Sequence, residues 1–179
     1  MSIDKILHSN NSHGGCFHPD SLIQTLFGLT PIRDITPHDV VCSMINGVLR
    51  YSRVVKLVKI PYNGIMYLID DYVSLTAFHP YRDENGVIAF PIDSNLGLYE
   101  YNGYVYDIIL EDRGLLVTCG KVYATWGHDS HEGIFEHQFF GSERVVGEIN
   151  NISRDYEVEL PVNCFRRDRF TNLIVGFNF

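Results

Sequence analysis

Past residue 15 the chain alternates short apolar runs, rich in Val, Ile, Tyr and Phe, with polar clusters of Asn, Asp and Gly. Runs of this length and composition read as β-strands bounded by turns. The pattern predicts strands over 39–45, 48–60, 65–70, 73–76, 86–90, 104–110, 115–118 and 121–125. The run 48–60 is too long to lie flat, which predicts a bend or a bulge. Asn-Gly occurs four times, at 46–47, 63–64, 85–86 and 102–103, each time between apolar runs. Both residues tolerate positive φ, so each pair predicts a hairpin. Helical spacing is confined to 143–149, where Val145, Val146 and Ile149 recur, and to one turn at 94–98. An all-β domain is expected, with most pairings between residues distant in sequence. Residues 1–15, MSIDKILHSNNSHGG, are polar and are expected to form a flexible leader.

One internal similarity changes this picture. Tyr62-Asn-Gly-Ile-Met-Tyr67-Leu-Ile69 is echoed by Tyr101-Asn-Gly-Tyr-Val-Tyr106-Asp-Ile108. It suits two related β halves about a pseudo-two-fold axis, and two unrelated hairpins with similar residues equally well.

With 179 residues, 45% of them apolar, the chain can build one continuous core. A formal charge of −8 argues against non-specific binding to nucleic acid or an anionic membrane, both of which need basic surface. No apolar run approaches the roughly 18 residues of a membrane span. No stretch has signal-peptide form. The expectation is a monomeric, cytoplasmic chain that binds neither nucleic acid nor membrane. The four cysteines, Cys16, Cys42, Cys119 and Cys164, are widely spaced, without a CxxC, and are expected to be free thiols. Cys42 and Cys119 fall in predicted strands and are expected in the core. His128, His131 and His137 form an HxxHxxxxxH pattern that nearby ligand types do not complete, and a solvated loop is the expectation. No metal or cofactor is called for. The basic run FRRDRF, with Arg166, Arg167 and Arg169, is read either as ordinary surface pairs or as a site for an anionic partner.

Candidate chemistry centres on GGCFHPD, residues 14–20. A cysteine nucleophile needs its thiolate, and the ordinary thiol pKa is about 8.5, so a nearby proton acceptor is required. In SLTAFHP, Thr76 and His79 stand three apart at a strand end, and Pro80 stops that strand from continuing inside a sheet. That spacing lets both side chains approach one locus. The residues alone leave Cys16 open as a nucleophile or as a small buried hydrophobe. His18 shares a strand face with Cys16, but beside Pro19 it reads as a turn residue.

The order of several motifs resembles a known superfamily. CFHPDSLIQTLFGLTPIRDITPHDVV resembles the opening of the Hint domains, the self-processing module shared by inteins and hedgehog proteins. LTAFHP resembles their Thr-x-x-His block, and VYDIILEDRGLLVTCGKVYATWGHD their closing strands. Phe78-His79-Pro80 followed by Phe90-Pro91, then Trp126-Gly127-His128, then FGSERVV at 140–146, is similar to the Vint subgroup. The resemblance implies an all-β Hint fold of related halves. Its core would run over 16–129, with a Vint-type extension over 130–179 packed on it.

It also implies a reaction. The Cys16 sulfur would attack the Gly15 carbonyl in an N-to-S acyl shift, converting the Gly15–Cys16 peptide bond into a thioester. His79 would protonate the departing nitrogen, and Thr76 would orient the amide or the developing oxyanion. Gly15 would allow unusual geometry at the scissile bond. The substrate is then the chain's own N-terminal flank, and water or an external thiol or amine resolves the thioester. His128 matches the penultimate His of inteins, and Asp129 stands where Asn would cyclise. Ser130 is a possible acyl acceptor. A carboxylate cannot form a succinimide by the amide route, so N-terminal autocleavage is expected, ahead of splicing or C-terminal cleavage near His128-Asp129-Ser130. VVKLVKIPYN carries no Asp of the kind hedgehog domains use on sterols. The alternative is a Hint-fold interaction module that does not process.

Overall fold

The computed structural model describes residues 15–178. Apart from Gly15, the expected leader therefore lies outside the described residues. In chain order the strands are β1 (Leu22–Thr25), β2 (Gly28–Pro31), β3 (Val40–Ile45), β4 (Val48–Leu68), β5 (Ser74–Thr76), β6 (Tyr81–Arg82) and β7 (Ile88–Ala89). They continue with β8 (Gly97–Leu110), β9 (Leu115–Thr118), β10 (Lys121–Tyr123), β11 (Glu157–Glu159), β12 (Phe165–Arg167) and β13 (Ile174–Phe177). A single helix among the described residues, α1 (Glu143–Ile152), precedes β11. Single 3₁₀ turns occur at Ile32–Asp34, Pro91–Asp93 and Gly133–Phe135.

The scaffold is one long antiparallel ribbon of β4 and β8, in register from Val54↔Leu110 to Leu68↔Gly97. A register shift between Val54 and Lys56 supplies the expected bulge. The predicted strands 48–60 and 65–70 are thus one strand, and Asn63-Gly64 is not a hairpin. It pairs mid-ribbon with the second predicted hairpin, Asn102-Gly103, through Tyr62↔Gly103, Asn63↔Asn102 and Gly64↔Tyr101. This pairing places the two Tyr-Asn-Gly repeats symmetrically about the Asn63–Asn102 pair, as a local two-fold requires. The other two Asn-Gly pairs do turn. Asn46 and Gly47 have φ of 49° and 76° between β3 and β4. Gly86, with φ of 82°, sits in the β6–β7 connection. Cys119-Gly120, with φ of 50° and 79°, makes the same kind of turn between β9 and β10. Cys119 is therefore a half-buried turn residue, and Cys42 is half-buried on β3, not in the core as expected.

Both ends of the ribbon are shared. β4 pairs with β3 at its start, with β5 at its end and with β11, in parallel, in between. The N-terminal segment is clamped between β5 and β8. Phe17 N–H donates to Tyr106 O (2.7 Å) and Tyr106 N–H to Phe17 O (2.9 Å). On the other side, Thr76 N–H donates to Cys16 O and His18 N–H to Ser74 O, each at 3.0 Å. Strand alternation sends neighbouring side chains into different cores. Phe17 packs with Ile23, Leu57, Leu75, Ile108 and Tyr123. Cys16 packs with Val58, Ile60, Val105, Trp126, Phe139 and Cys164.

The chain after residue 130 completes that second core. α1 is capped by Ser142, whose hydroxyl accepts from Arg144 N–H (3.3 Å), and it buries Val145 and Ile149 one turn apart. Lys56 reaches over from β4 and donates to Ser153 O (3.0 Å) and Asp155 O just past the helix end, where carbonyls lack intrahelical partners. Phe165, Ile174 and Phe177 of the β12–β13 hairpin and Phe139 and Phe140 before α1 close over Trp126. The helix predicted over 143–149 is thus present and three residues longer. The turn predicted at 94–98 is instead the 3₁₀ turn Pro91–Asp93, followed by the start of β8.

Candidate functional site

Cys16 is fully buried, with 0% of its surface exposed. Its amide N–H donates to Thr76 Oγ1 at 2.9 Å, and its carbonyl accepts from Thr76 N–H. One residue at the end of β5 therefore holds both sides of the Cys16 backbone. β5 stops there and turns, with His79 N–H donating to Thr76 O (3.3 Å), and Pro80 follows. The turn swings the His79 ring back into the interior, edge-on to Phe17 at 4.6 Å between centroids.

His79 Nε2 lies 2.9 Å from Ala124 O. A carbonyl only accepts, so Nε2 carries the hydrogen. Nδ1 has no hydrogen-bond partner among the described residues and stands 3.7 Å from Asp107 Oδ2. Burial pushes the His79 pKa down to about 3, against the Ala124 carbonyl and the Gly15 backbone, which favour the charged ring. Gly15 packs directly on this histidine. A Cβ at position 15 would lie 2.4 Å from His79 Cα. This close approach requires a glycine.

Asp107 is the residue that the sequence reading left without a role. It follows Tyr106 on β8, is 1% exposed, and accepts from Ile108 N–H at 2.7 Å. Burial pushes its carboxyl well above the ordinary carboxylate range. Burial likewise raises the Cys16 thiol well above its ordinary value, and the charges of Asp107 and Cys164 push the same way. Burial thus favours the neutral form of thiol, carboxyl and imidazole alike. The signal in the sequence was a single carboxylate inside the apolar run YVYDIIL.

The locus opens onto a cavity of about 470 Å³ whose lining includes Gly15, His79, Asp107 and His128. His128 is 1% exposed and accepts from Ser130 N–H through Nδ1 (3.2 Å). Burial lowers its pKa to about 4, and its charge is felt at His79. Gly15, Cys16, Thr76, His79 and His128 thus gather around one place; spacing alone had brought together Thr76 and His79, and the resemblance the others. Asp129 and Ser130 do not line this cavity. Asp129 is exposed, its N–H donating to Arg113 O (3.1 Å) and its carboxylate 3.8 Å from Arg113 Nη2. His131 is exposed beside Asp129 and Glu136, and the described residues contain no cluster suited to a metal ion. His18 accepts from Asp20 N–H (3.1 Å), as a turn residue does.

Comparison with known proteins agrees with this architecture. The family profile named Vint, described as a Hint-domain, matches residues 15–176. The chain belongs to this family. Among solved structures, a bacterial intein-like domain from Clostridium thermocellum is similar, with a TM-score of 0.50 and 16% identity, over 62% of this chain and 97% of that one. The Ssp DnaB mini-intein variant M86 matches 66% of this chain and 99% of its own at a TM-score of 0.46 and 14% identity. The gp41-1 intein matches 62% and 98% at 0.45 and 17%. No curated protein matches. The Hint fold, all-β and intein-like, is thereby established. No helix among the described residues is long and apolar enough to cross a membrane.

Proposed function

We propose that this Hint domain cleaves its own Gly15–Cys16 bond. Cys16 Sγ adds to the Gly15 carbonyl carbon, the C–N bond breaks, and the Cys16 nitrogen leaves as an amine with one added proton. The product is a Gly15 thioester on Cys16. Water then gives a Gly15 carboxylic acid and restores the thiol, and an external thiol or amine gives the corresponding thioester or amide.

The observation that carries this reading is the grip on the scissile amide. The nitrogen that must leave is hydrogen-bonded to Thr76 Oγ1, and Gly15 is pressed against His79. Asp107 stands 3.7 Å from His79 Nδ1, its burial favours the protonated acid, and its ionised form would act on the Cys16 thiol. It is suited to pass a proton between the thiol and the amine. His79 orients the carbonyl and relays to Asp107 through Nδ1. His128 contributes from the cavity side.

Intact mass of the full chain, followed over hours with and without dithiothreitol beside a Cys16→Ala control, tests this. A species beginning at Cys16, formed faster with thiol and absent from the control, is the expected result. Unchanged mass in folded protein overturns it. The second reading, a Hint module that does not process, is favoured by one observation, the fully buried and strongly protonated Cys16 thiol. Unchanged mass selects it.

A further inference from the structure

Resolution of the thioester by water alone leaves much of the cavity beside Gly15 without a purpose. After the acyl shift the reactive carbon is still that of Gly15, which lines the cavity, whereas Cys16 is sealed behind it. An incoming nucleophile therefore meets the acyl carbon from the cavity. The walls on that side are aromatic, with Phe78, Phe90, Trp126, Phe135 and Phe140. Water draws nothing from such walls, and an apolar body does.

One charge stands among these rings. Arg166 lies beside Glu148 (3.9 Å), and Arg169 stacks on Phe170 (4.4 Å). Arg167, between them, lines the cavity and donates to Asn172 O through Nη1 (2.7 Å). No carboxylate pairs with it among the described residues. Partial burial lowers its pKa. Two imidazoles add donors. His128 Nδ1 accepts from Ser130 N–H, and His137 Nδ1 from Phe139 and Phe140 N–H (3.1 Å each). Each neutral ring then carries its hydrogen on Nε2, and both rings line the cavity. Of the acids there, Glu136 is exposed beside His131 (3.5 Å), and the buried Asp107 carboxyl favours its neutral form.

We infer that this cavity is an acceptor subsite for a small thiol or amine with an aromatic or aliphatic body and a carboxylate. The carboxylate pairs with Arg167, the body fills the aromatic walls, and the nucleophile reaches the Gly15 carbonyl. A thiol forms its own Gly15 thioester and an amine a Gly15 amide. In both, the bond to Cys16 Sγ breaks and the Cys16 thiol recovers a proton. The inference rests on the thioester reading above and adds the chemistry of the resolving nucleophile.

Two measurements on the full chain test it. The first compares cleavage by 4-mercaptophenylacetate, by uncharged 4-methylthiophenol and by cationic cysteamine, each rate divided by that thiol's rate with a simple acyl thioester. The carboxylate thiol is expected to lead by about tenfold, the worth of one charge-assisted hydrogen bond. Arg167→Gln is expected to erase that lead and to leave dithiothreitol cleavage unchanged, and Arg167→Lys to restore part of it. The second titrates the Cys16→Ala chain with phenylacetate and with benzylamine, reading Trp126, the only tryptophan. Saturable quenching by phenylacetate alone is expected. Equal corrected rates with no phenylacetate binding, in a chain that dithiothreitol cleaves, overturn the subsite and leave the thioester reading intact. Phenylacetate binding without cleavage by any thiol supports the subsite's ligand chemistry and overturns the thioester reading.

Discussion

The peptide bonds at Gly15–Cys16 and at His128–Asp129 border the same cavity and are built in opposite ways. At the first, the Cys16 N–H and carbonyl are both held by Thr76, Cys16 is fully buried, and the flanking glycine touches His79. At the second, only the histidine is inside. Asp129 projects into solvent toward Arg113, and Ser130 is half-buried away from the cavity. Solvent-exposed groups can move, and water screens whatever acts on them. A clamped, desolvated peptide bond is where strain and proton transfer can be applied. The comparison teaches that this domain concentrates burial and backbone hydrogen bonding at its N-terminal junction.

The largest expected effect tests that concentration directly. His79→Gln removes the imidazole between Ala124 O and Asp107, and thiol-induced cleavage should fall by about 10²–10⁴-fold, the usual worth of an acid–base group. Intact-mass rates would show it, and cleavage at the wild-type rate would make His79 a packing residue. Thr76→Val keeps the shape and removes the acceptor of the Cys16 N–H. A rate loss of about 10²–10³-fold and a stability loss of about 1–3 kcal/mol should appear together in kinetics and urea unfolding. Gly15→Ala introduces a Cβ against His79 backbone, which no rotamer relieves. Misplacing the carbonyl by about an ångström should cost about 10²-fold, in the same assay.

Smaller effects sharpen the contrast from the other junction. The His128 pKa is about 4 when folded against 6.5 for the free side chain. The unfolded chain therefore binds more protons between those values, and this histidine's contribution to stability falls as pH drops through that window. The Tm difference between wild type and His128→Gln should narrow from pH 7 to pH 4, by an amount corresponding to about 3 kcal/mol. A constant difference would mean that folded His128 takes up its proton at the same pH as in the unfolded chain. The smallest effect belongs to the exposed pair. Asp129→Asn and Ser130→Ala should change N-terminal cleavage by less than about twofold, as surface substitutions do. Asp129→Asn would also reveal any latent C-terminal cleavage as a new mass.

Much of the site was legible because its parts are local. Thr76-x-x-His79 reads as a strand end and a turn, and Pro80 forces that turn. Asp107 is a different case. The strand was readable, and a carboxylate within it was visible, but its neighbours came from segments 28 and 91 residues away in sequence, at His79 and Cys16. The Asn-Gly pairs show the same divide. Local propensity allowed all four to turn, and Asn46-Gly47 and Asn85-Gly86 lie in turns. Asn63-Gly64 and Asn102-Gly103 were overruled because each found the other across the ribbon, where continuous pairing satisfies more backbone groups than two separate turns.

By itself the sequence determined the β class, the bulge in the long strand, the helix around Val145, Val146 and Ile149, and the strand end and turn that carry Thr76 and His79. Each follows from residues within a few positions of one another, where sterics and hydrogen bonding act directly. Tertiary structure alone decided that Cys16 is clamped between β5 and β8, that Asp107 stands beside His79, and that Arg167 faces an aromatic cavity next to Gly15. These depend on contacts between distant segments, and on a desolvation that exists only once the chain after residue 130 has closed the core over them.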